Sequence, residues 1–199
     1  MFTGLVSEIG EIKSAKEIKE GVKFKISSKK LLRELSLGDS IAVNGVCQTV
    51  VDKSRKYFSV VAVQITLEKT NFKNLKETKT VNLELPMRLQ DRMGGHFVSG
   101  HVNGITQVKK ITKRGKNYNF FFEMDKKSTK YLINEGSITL NGVSLTVASV
   151  DDKKNEFMVT IIPHTFSHTT FGSLAVGEEV NYEVDILAKY LERMMKVKL

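Results

Sequence analysis

The chain has one cysteine, Cys47, two prolines and no tryptophan among 199 residues. A single thiol excludes an internal disulfide and a cysteine-based zinc site, leaving Cys47 as a small buried hydrophobe or a free nucleophile. With proline this rare there is no proline-rich or low-complexity linker. No apolar run approaches the length of a membrane span, so no membrane contact is expected. The opening stretch, Met1 to Val6, lacks a basic region followed by an apolar core; no signal peptide is expected, and the cytoplasm is the expected compartment. No glycine-rich loop follows a strand and opens a helix, which excludes the usual phosphate cradle. The four histidines are scattered, and His164 and His168, beside Pro163 in what reads as irregular chain, have no acidic residue at ligand spacing. No metal is expected.

The net charge of +9 raises nucleic acid as a partner. The excess is spread, with 17 basic against 11 acidic residues in 1–95 and 14 against 11 in the remainder. Lysines 13 to 25 are interleaved with Glu11, Glu17 and Glu20, and no series of aromatics is set among them as stacking platforms. A solvated lysine-rich surface is the reading, with no nucleic acid.

What the chain does contain is one segment twice: Ser40-Ile-Ala-Val-Asn-Gly-Val-Cys-Gln-Thr-Val50 and Ser137-Ile-Thr-Leu-Asn-Gly-Val-Ser-Leu-Thr-Val147. Asn-Gly between alternating, β-branched runs is the strongest short-range hairpin signal, because both residues tolerate the positive φ of a type I′ turn. In the strand after each turn, side chains alternate faces. Cys47 and Thr49 share one face, as do Ser144 and Thr146; Val46, Gln48 and Val50, or Val143, Leu145 and Val147, share the other. A polar strand face is ordinarily just solvated, but two in register argue for a pair of polar pockets.

In chain order, residues 1–12 read as a strand containing Gly4, 22–27 as a second, and 29–35 as a short helix ending near Gly38. The hairpin, a strand at 57–63, a less regular stretch at 66–72 and a strand at 80–85 follow. The second half repeats this order 96 to 99 residues on: Thr3-Gly-Leu-Val matches Ser99-Gly-His-Val, and Val81-Asn-Leu-Glu-Leu matches Val180-Asn-Tyr-Glu-Val. The joint lies around 88–95. The expected fold is all-β: two tandem six-stranded Greek-key barrels related by internal duplication, at 1–95 and 96–185, plus a C-terminal helix at 186–199. Leu187, Tyr190, Leu191, Met194 and Met195 form one helical stripe, suited equally to its own barrel or to a subunit contact.

Small hydroxyls with exposed backbone suit a flat, uncharged, hydrogen-bonding ring with a polyol tail. Cys47 opposes Ser144 and Leu5 opposes His101, so two similar ligands would meet different surroundings. A reaction between two identical molecules needs that difference.

Met1-Phe-Thr-Gly-Leu-Val, Asn44-Gly-Val-Cys-Gln-Thr-Val50, Gly94-Gly-His-Phe-Val-Ser-Gly-His-Val102, Asn141-Gly-Val-Ser-Leu-Thr-Val147, Ile162-Pro-His-Thr165 and Val180-Asn-Tyr-Glu-Val-Asp185 closely resemble, along the full length, the riboflavin synthase alpha-chain family. The resemblance implies lumazine-binding barrels, a homotrimer joined through C-terminal helices, and active sites between the N-terminal barrel of one subunit and the C-terminal barrel of the next. It implies dismutation of two 6,7-dimethyl-8-ribityllumazine molecules to riboflavin and 5-amino-6-(ribitylamino)uracil, with no cofactor, and a lumazine synthase capsid as a further partner.

Carried over, Gly4, Leu5 and Val6 line the first site with Cys47, Gln48, Thr49, Val61, Ala62, Val63, Gln64, Ile65 and Thr66. Gly100, His101 and Val102 line the second with Ser144, Leu145, Thr146, Thr160, Ile161, Ile162, Pro163, His164 and Thr165, and Glu135 stands at its edge. Ser144, Cys47 and His101 are implied for proton transfer or nucleophile positioning, Thr146 for orienting the ring, with Ser40 and Asp185 assisting. Glu135 stands where the family carries Lys, Asn141 where it carries Asp, and Ile65 where an acidic residue is common. Two readings compete: a non-catalytic lumazine protein holding one fluorescent ligand, against which both barrels keep polar residues, and a basic tandem barrel binding RNA.

Overall fold

The computed structural model describes residues 1–197. The first barrel consists of β1 (Glu8–Ile18), β2 (Gly21–Ser27), β3 (Ser40–Val43), β4 (Val46–Lys53), β5 (Tyr57–Val63) and β6 (Thr80–Glu84), closed in the order β1-β2-β5-β4-β3-β6. The second consists of β7 (Gly104–Arg114), β8 (Asn117–Glu123), β9 (Ser137–Leu140), β10 (Val143–Asp151), β11 (Glu156–Ile161) and β12 (Glu179–Val184), closed in the same cyclic order, β10-β11-β8-β7-β12-β9. All pairings are antiparallel, and the register irregularities also repeat, between Val50 and Asp52 as between Val147 and Ser149. Closure leaves neither sheet an unpaired edge.

Each barrel is filled by the inward set of its alternating strands. Phe24, Ile26, Phe58 and Val60 fill the first and Phe120, Phe122, Phe157 and Val159 the second, all at 2 % exposure or less. An edge-to-face aromatic pair repeats too: Phe24 with Phe72 at 5.5 Å and Phe120 with Phe171 at 5.2 Å.

Several local expectations change. Regular pairing in the first segment begins at Glu8 and runs to Ile18, because Gly4 turns the chain at φ +76 and the Glu84 carboxylate takes the Thr3 amide at 2.7 Å and the Gly4 amide at 3.1 Å. The helix expected at 29–35 is one 3-10 turn, Leu31–Arg33, its start held by Glu8, which accepts from the Lys29 and Lys30 amides. The irregular stretches near Thr66 and Thr165 are helical: α1 (Gln64–Lys69) and, after a four-residue α2 (Lys126–Thr129), α3 (Pro163–His168). Each is followed by a 3-10 turn whose first amides are capped by a threonine, Phe72 N to Thr70 Oγ1 and Phe171 N to Thr169 Oγ1, both 3.3 Å. His164 and His168 therefore stack at 4.2 Å on α3.

The two barrels meet at their Asn-Gly turns. Asn44 (φ 46) and Gly45 (φ 76), and Asn141 (φ 46) and Gly142 (φ 78), adopt the type I′ conformation the sequence predicts. A Cβ built on Gly45 would lie 2.7 Å from Gly142 N, and one on Gly142 would lie 2.7 Å from Gly45 N. Only glycine permits this backbone contact. Around it the asparagines reciprocate across the pseudo-two-fold axis. Asn82 donates to Asn141 O at 2.8 Å and Asn181 to Asn44 O at 2.9 Å; Asn82 Oδ1 accepts from Thr170 N and Asn181 Oδ1 from Asn71 N. All these residues are buried, and an amide has both the donor and the acceptor the exchange requires.

The C-terminal helix is α4 (Ile186–Lys196), N-capped by Asp185, whose Oδ1 accepts from Leu187 N at 2.9 Å. The part of the expected helix at 198–199 lies outside the described residues. No residue of α4 is buried, and Leu187, Tyr190, Leu191, Met194 and Met195 are exposed. Its polar face is tied down through Glu192, which meets Lys130, Tyr131 and Lys196 and whose carboxyl is pulled down to about 2 by hydrogen bonds from those groups. Among the described residues no helix is long and apolar enough to cross a membrane.

Candidate active site

The hairpins set two outward faces. Across the first, Ser40 pairs with Thr49 and Ala42 with Cys47; across the second, Ser137 pairs with Thr146 and Thr139 with Ser144. The alternation is the expected one: Val46 and Val50, and Val143 and Val147, are buried, while Thr49 and Thr146 are exposed and Cys47 and Ser144 half-exposed. The neighbouring strand extends each face. Val61 and Val63 on β5 lead into α1 with Gln64, Ile65 and Thr66; Thr160 on β11 leads through Ile162 into α3 with Pro163, His164 and Thr165. Val63 and Ile162, equivalent in the duplication, are exposed.

Four residues counted with the pocket walls face the barrel interiors. Gln48 is 7 % exposed, its amide donating to Cys47 O at 2.9 Å; Ala62 and Ile161 are fully buried, and Leu145 is half-buried against the second core. Each lies one residue out of phase with the outward set, so only its backbone reaches the outer face. Glu135, expected at a pocket edge, occupies the turn before β9 with φ 66, the place Gly38 takes in the first barrel with φ 86. Its amide donates to Val147 O at 2.8 Å, as Gly38 N does to Val50 O at 2.9 Å.

The leading segments cross between the barrels, which reverses the grouping expected from the sequence. Ser144 N donates to Gly4 O at 2.8 Å, and Cys47 N donates to Gly100 O at 2.9 Å. A Cβ on Gly4 would lie 2.6 Å from Ser144 Cβ, and one on Gly100 2.7 Å from Cys47 Cβ. Val6 packs against the second core and Val102 against the first. So Gly4, Leu5 and Val6 belong with Ser144, and Gly100, His101 and Val102 with Cys47. The glycines mark close approach of another backbone, as their place in the sequence predicts. Each crossing segment is anchored to its own barrel by a buried carboxylate: Glu84 on Thr3 and Gly4, and Glu183 on the Ser99 and Gly100 amides at 2.8 and 3.0 Å. Burial pushes the Glu84 carboxyl up although the Thr3 amide and hydroxyl and the Gly4 amide hydrogen-bond to it.

The two faces differ beside Cys47 and Ser144. Cys47 packs with Phe2, Ala42 and Val98. Ser144 Oγ instead lies 2.7 Å from His96 Nδ1, and His96 Nε2 lies 3.1 Å from Thr139 Oγ1. Burial holds the His96 imidazole below its ordinary value, opposed by the charges of Asp185 and Glu183. His101 is exposed, and its own amide donates to Ser99 Oγ at 3.2 Å. Sequence reasoning passed over His96 and Thr139. Thr139 stands where the duplication places Ala42, and that mismatch in an otherwise matched pair of strands is the signal that marks it.

Comparison with known proteins accords with this geometry. The lumazine binding domain model matches residues 3–86 and again 99–185. The riboflavin synthase of Bacillus subtilis (strain 168) is 39 % identical over 195 residues, 98 % of this chain and 90 % of that protein. That of Actinobacillus pleuropneumoniae is 40 % identical over 198 residues, all of this chain and 91 % of that protein. Among solved structures, LumP complexed with riboflavin aligns with a TM-score of 0.86 at 25 % identity, covering 92 % of this chain and 99 % of that one. LumP complexed with 6,7-dimethyl-8-(1'-D-ribityl) lumazine gives a TM-score of 0.83 at the same identity and coverage.

Proposed function

Because the chain belongs to the lumazine-binding domain family, with one copy of the domain in each half, we propose that its two hairpin faces are paired lumazine sites. Its activity is riboflavin synthesis, a transferase reaction. Two molecules of 6,7-dimethyl-8-ribityllumazine dismutate: one gives up a four-carbon unit and leaves as 5-amino-6-(ribitylamino)uracil, and the other becomes riboflavin. The two products together contain all the atoms of the two substrates, so no external oxidant or reductant enters the balance.

The observation that supports the site assignment most is the outward row of Ser40, Cys47 and Thr49 repeated as Ser137, Ser144 and Thr146 on one scaffold. A lumazine ring laid on either row meets hydroxyls or a thiol at its edge and the backbone of a crossing segment beside it. Val63 or Ile162 supplies an apolar wall. The acidic C7 methyl of one ring loses a proton, and its carbanion adds to an electrophilic C=N carbon of the other ring, whose π electron pair moves onto the ring nitrogen. Holding the rings face to face removes the entropic cost of their meeting, and positioned acids and bases contribute about 10²–10⁴-fold. Ser144, Cys47 and His101 take the proton-handling and nucleophile-positioning roles, Thr146 orients the ring and Ser40 assists. Asp185 acts through the charge it presents to His96 and as the cap that starts α4.

Both faces are open, with Thr49, Thr146, Val63 and Ile162 exposed. A ring stacked on one face therefore needs a cover, and the facing barrel of a second subunit supplies it together with the second ring. The exposed stripe of α4 is the means of assembly. An eleven-residue helix with no buried residue is marginal alone, and five large apolar side chains covered by other subunits would each contribute roughly 1.5–3 kcal/mol. The homotrimer, its place in the cytoplasm, the division at 95/96 and 185/186, and association with a lumazine synthase capsid complete the proposal.

The test is to mix metal-free purified protein with 6,7-dimethyl-8-ribityllumazine and follow absorbance and fluorescence. Riboflavin and the diaminouracil formed in equal amounts are the expected result. Tight binding without product would favour a non-catalytic lumazine protein instead, and neither binding nor product would sink the assignment.

A further inference from the structure

We propose that His164 and His168 form a two-imidazole site for a divalent transition-metal ion, Zn²⁺ first of all, at the rim of the Ser144 face, and that its occupation stops turnover there. The metal site stands on the geometry of α3 alone. The loss of turnover rests on the reading of the Ser144 face as a substrate site.

In irregular chain a spacing of four residues carries no meaning, but on a helix it brings two side chains to one face. α3 supplies that turn. Pro163 opens it, Phe166 N donates to Ile162 O at 3.0 Å, and the Phe166 ring stacks on Tyr118 of β8 at 4.0 Å. The two histidines are exposed, with their rings 4.2 Å apart and 14° from parallel.

Imidazole ligates a metal through an unprotonated ring nitrogen, and His168 is preset for that role. Its Nδ1 lies 2.8 Å from His164 O. A carbonyl can only accept, so Nδ1 carries the proton and Nε2 keeps the free lone pair. Donation of the other ring N–H to a backbone carbonyl is the usual support of a metal-bound histidine. The exposed His164 ring turns about its side-chain bonds to bring a nitrogen to the same ion, about 2 Å from it. Nitrogen ligands select Zn²⁺ over Mg²⁺ or Ca²⁺, which take oxygen. Among the described residues no three His, Cys, Asp or Glu side chains are grouped for a metal, so this site has two protein ligands, with water completing the shell, and is reversible.

The duplication supplies the contrast. At the equivalent positions α1 carries Ile65 and Lys69, an alkyl chain and an ammonium, which do not ligate. On α3, His164 stands between Ile162 and Thr165, both on the second face. A hydrated dication held there puts charge and bound water where an uncharged ring is to lie.

The experiment titrates the metal-free protein with Zn²⁺ by calorimetry, as wild type, His168→Gln and His164→Gln, and records long-range ¹H–¹⁵N spectra of the histidine rings with and without Zn²⁺. Each substitution should weaken the binding by at least about tenfold, the smaller loss typical when even an outer partner of a metal site is removed. Nε2 of His168 and one nitrogen of His164 should shift together, with Nδ1 of His168 still protonated. At saturating Zn²⁺ wild type should lose turnover of 6,7-dimethyl-8-ribityllumazine. His168→Gln should match wild type without metal and keep that rate at the same Zn²⁺ concentration. No binding, binding unchanged in His168→Gln, or shifts confined to other histidines would overturn the site. Inhibition that persists in His168→Gln would assign it to another group, such as the Cys47 thiol; that result, or full turnover by the Zn²⁺-loaded protein, would overturn the inhibitory role. If wild type makes no riboflavin without metal, the functional reading fails and the inhibitory role with it, while the calorimetry and the ring shifts still decide the site.

Discussion

In the first barrel the group after the Asn-Gly turn is a thiol packed against Ala42, Phe2 and Val98; in the second it is a hydroxyl held by His96, itself anchored on Thr139. The backbones around them are equivalent down to the crossing glycine, whose carbonyl takes the Cys47 amide at 2.9 Å and the Ser144 amide at 2.8 Å. The duplication has thus preserved what holds the two faces in place and changed what each presents. Scaffold positions match because both barrels solve the same closure and docking problem. Positions on the proposed lumazine faces are free to diverge, and the different parts that donor and acceptor play in the proposed reaction favour that they do.

The shared scaffold can be broken at its axis. Gly45→Ala and Gly142→Ala each force a side chain into the facing turn and strain a residue at positive φ, so each should cost roughly 3 kcal/mol, equally, in urea unfolding. Unequal losses would show that the turns are not equivalent supports. Asn82→Ala and Asn181→Ala each strand buried partners across the same axis and should cost about 2 kcal/mol apiece by the same measurement.

The comparison sharpens where the copies differ. Glu135→Gly should stabilise the chain by about 1 kcal/mol, and Gly38→Ala should destabilise it by about as much, because both sites hold a left-handed turn and only the first has the residue suited to it. Thermal unfolding checks both. The smallest effects belong to the capping carboxylates. Burial raises Glu8 and Asp125, but hydrogen bonds outweigh it and hold both below their ordinary values: Ser28 and the amides of 29–31 for Glu8, and Tyr182 with Ser128 and Lys127 for Asp125. A carboxyl depressed in the folded state contributes stability above its unfolded value that is lost as pH falls through the folded one. Glu8→Gln and Asp125→Asn should therefore cost at most about 1 kcal/mol at neutral pH, and their deficit against wild type should shrink as pH falls below about 4.

The duplicated barrels were legible because strand alternation and the Asn-Gly turns are local signals, and two copies confirmed each other. The outward face carrying Cys47, Thr49, Ser144 and Thr146 followed from the same period of two. The crossing of the leading segments was not legible. A repeat aligns Gly4 with Gly100 but is silent on which barrel either touches, since that depends on how the halves dock. The resemblance counts Gln48, Ala62, Leu145 and Ile161 with the pocket walls, whereas alternation turns their side chains inward. His96 escaped for a related reason: it precedes the aligned portion of the second repeat, and its partners Thr139 and Ser144 are more than forty residues away. The helices at α1 and α3 were missed because six residues are too few to show a helical period.

The most direct test of unequal chemistry on equal scaffolds is steady-state turnover of 6,7-dimethyl-8-ribityllumazine by Ser144→Ala and Cys47→Ala, measured side by side with wild type. Ser144→Ala should lower kcat by about 10²-fold and Cys47→Ala by clearly less, both with wild-type unfolding midpoints. Equal losses in the two variants, or an unchanged kcat in Ser144→Ala, would contradict the account.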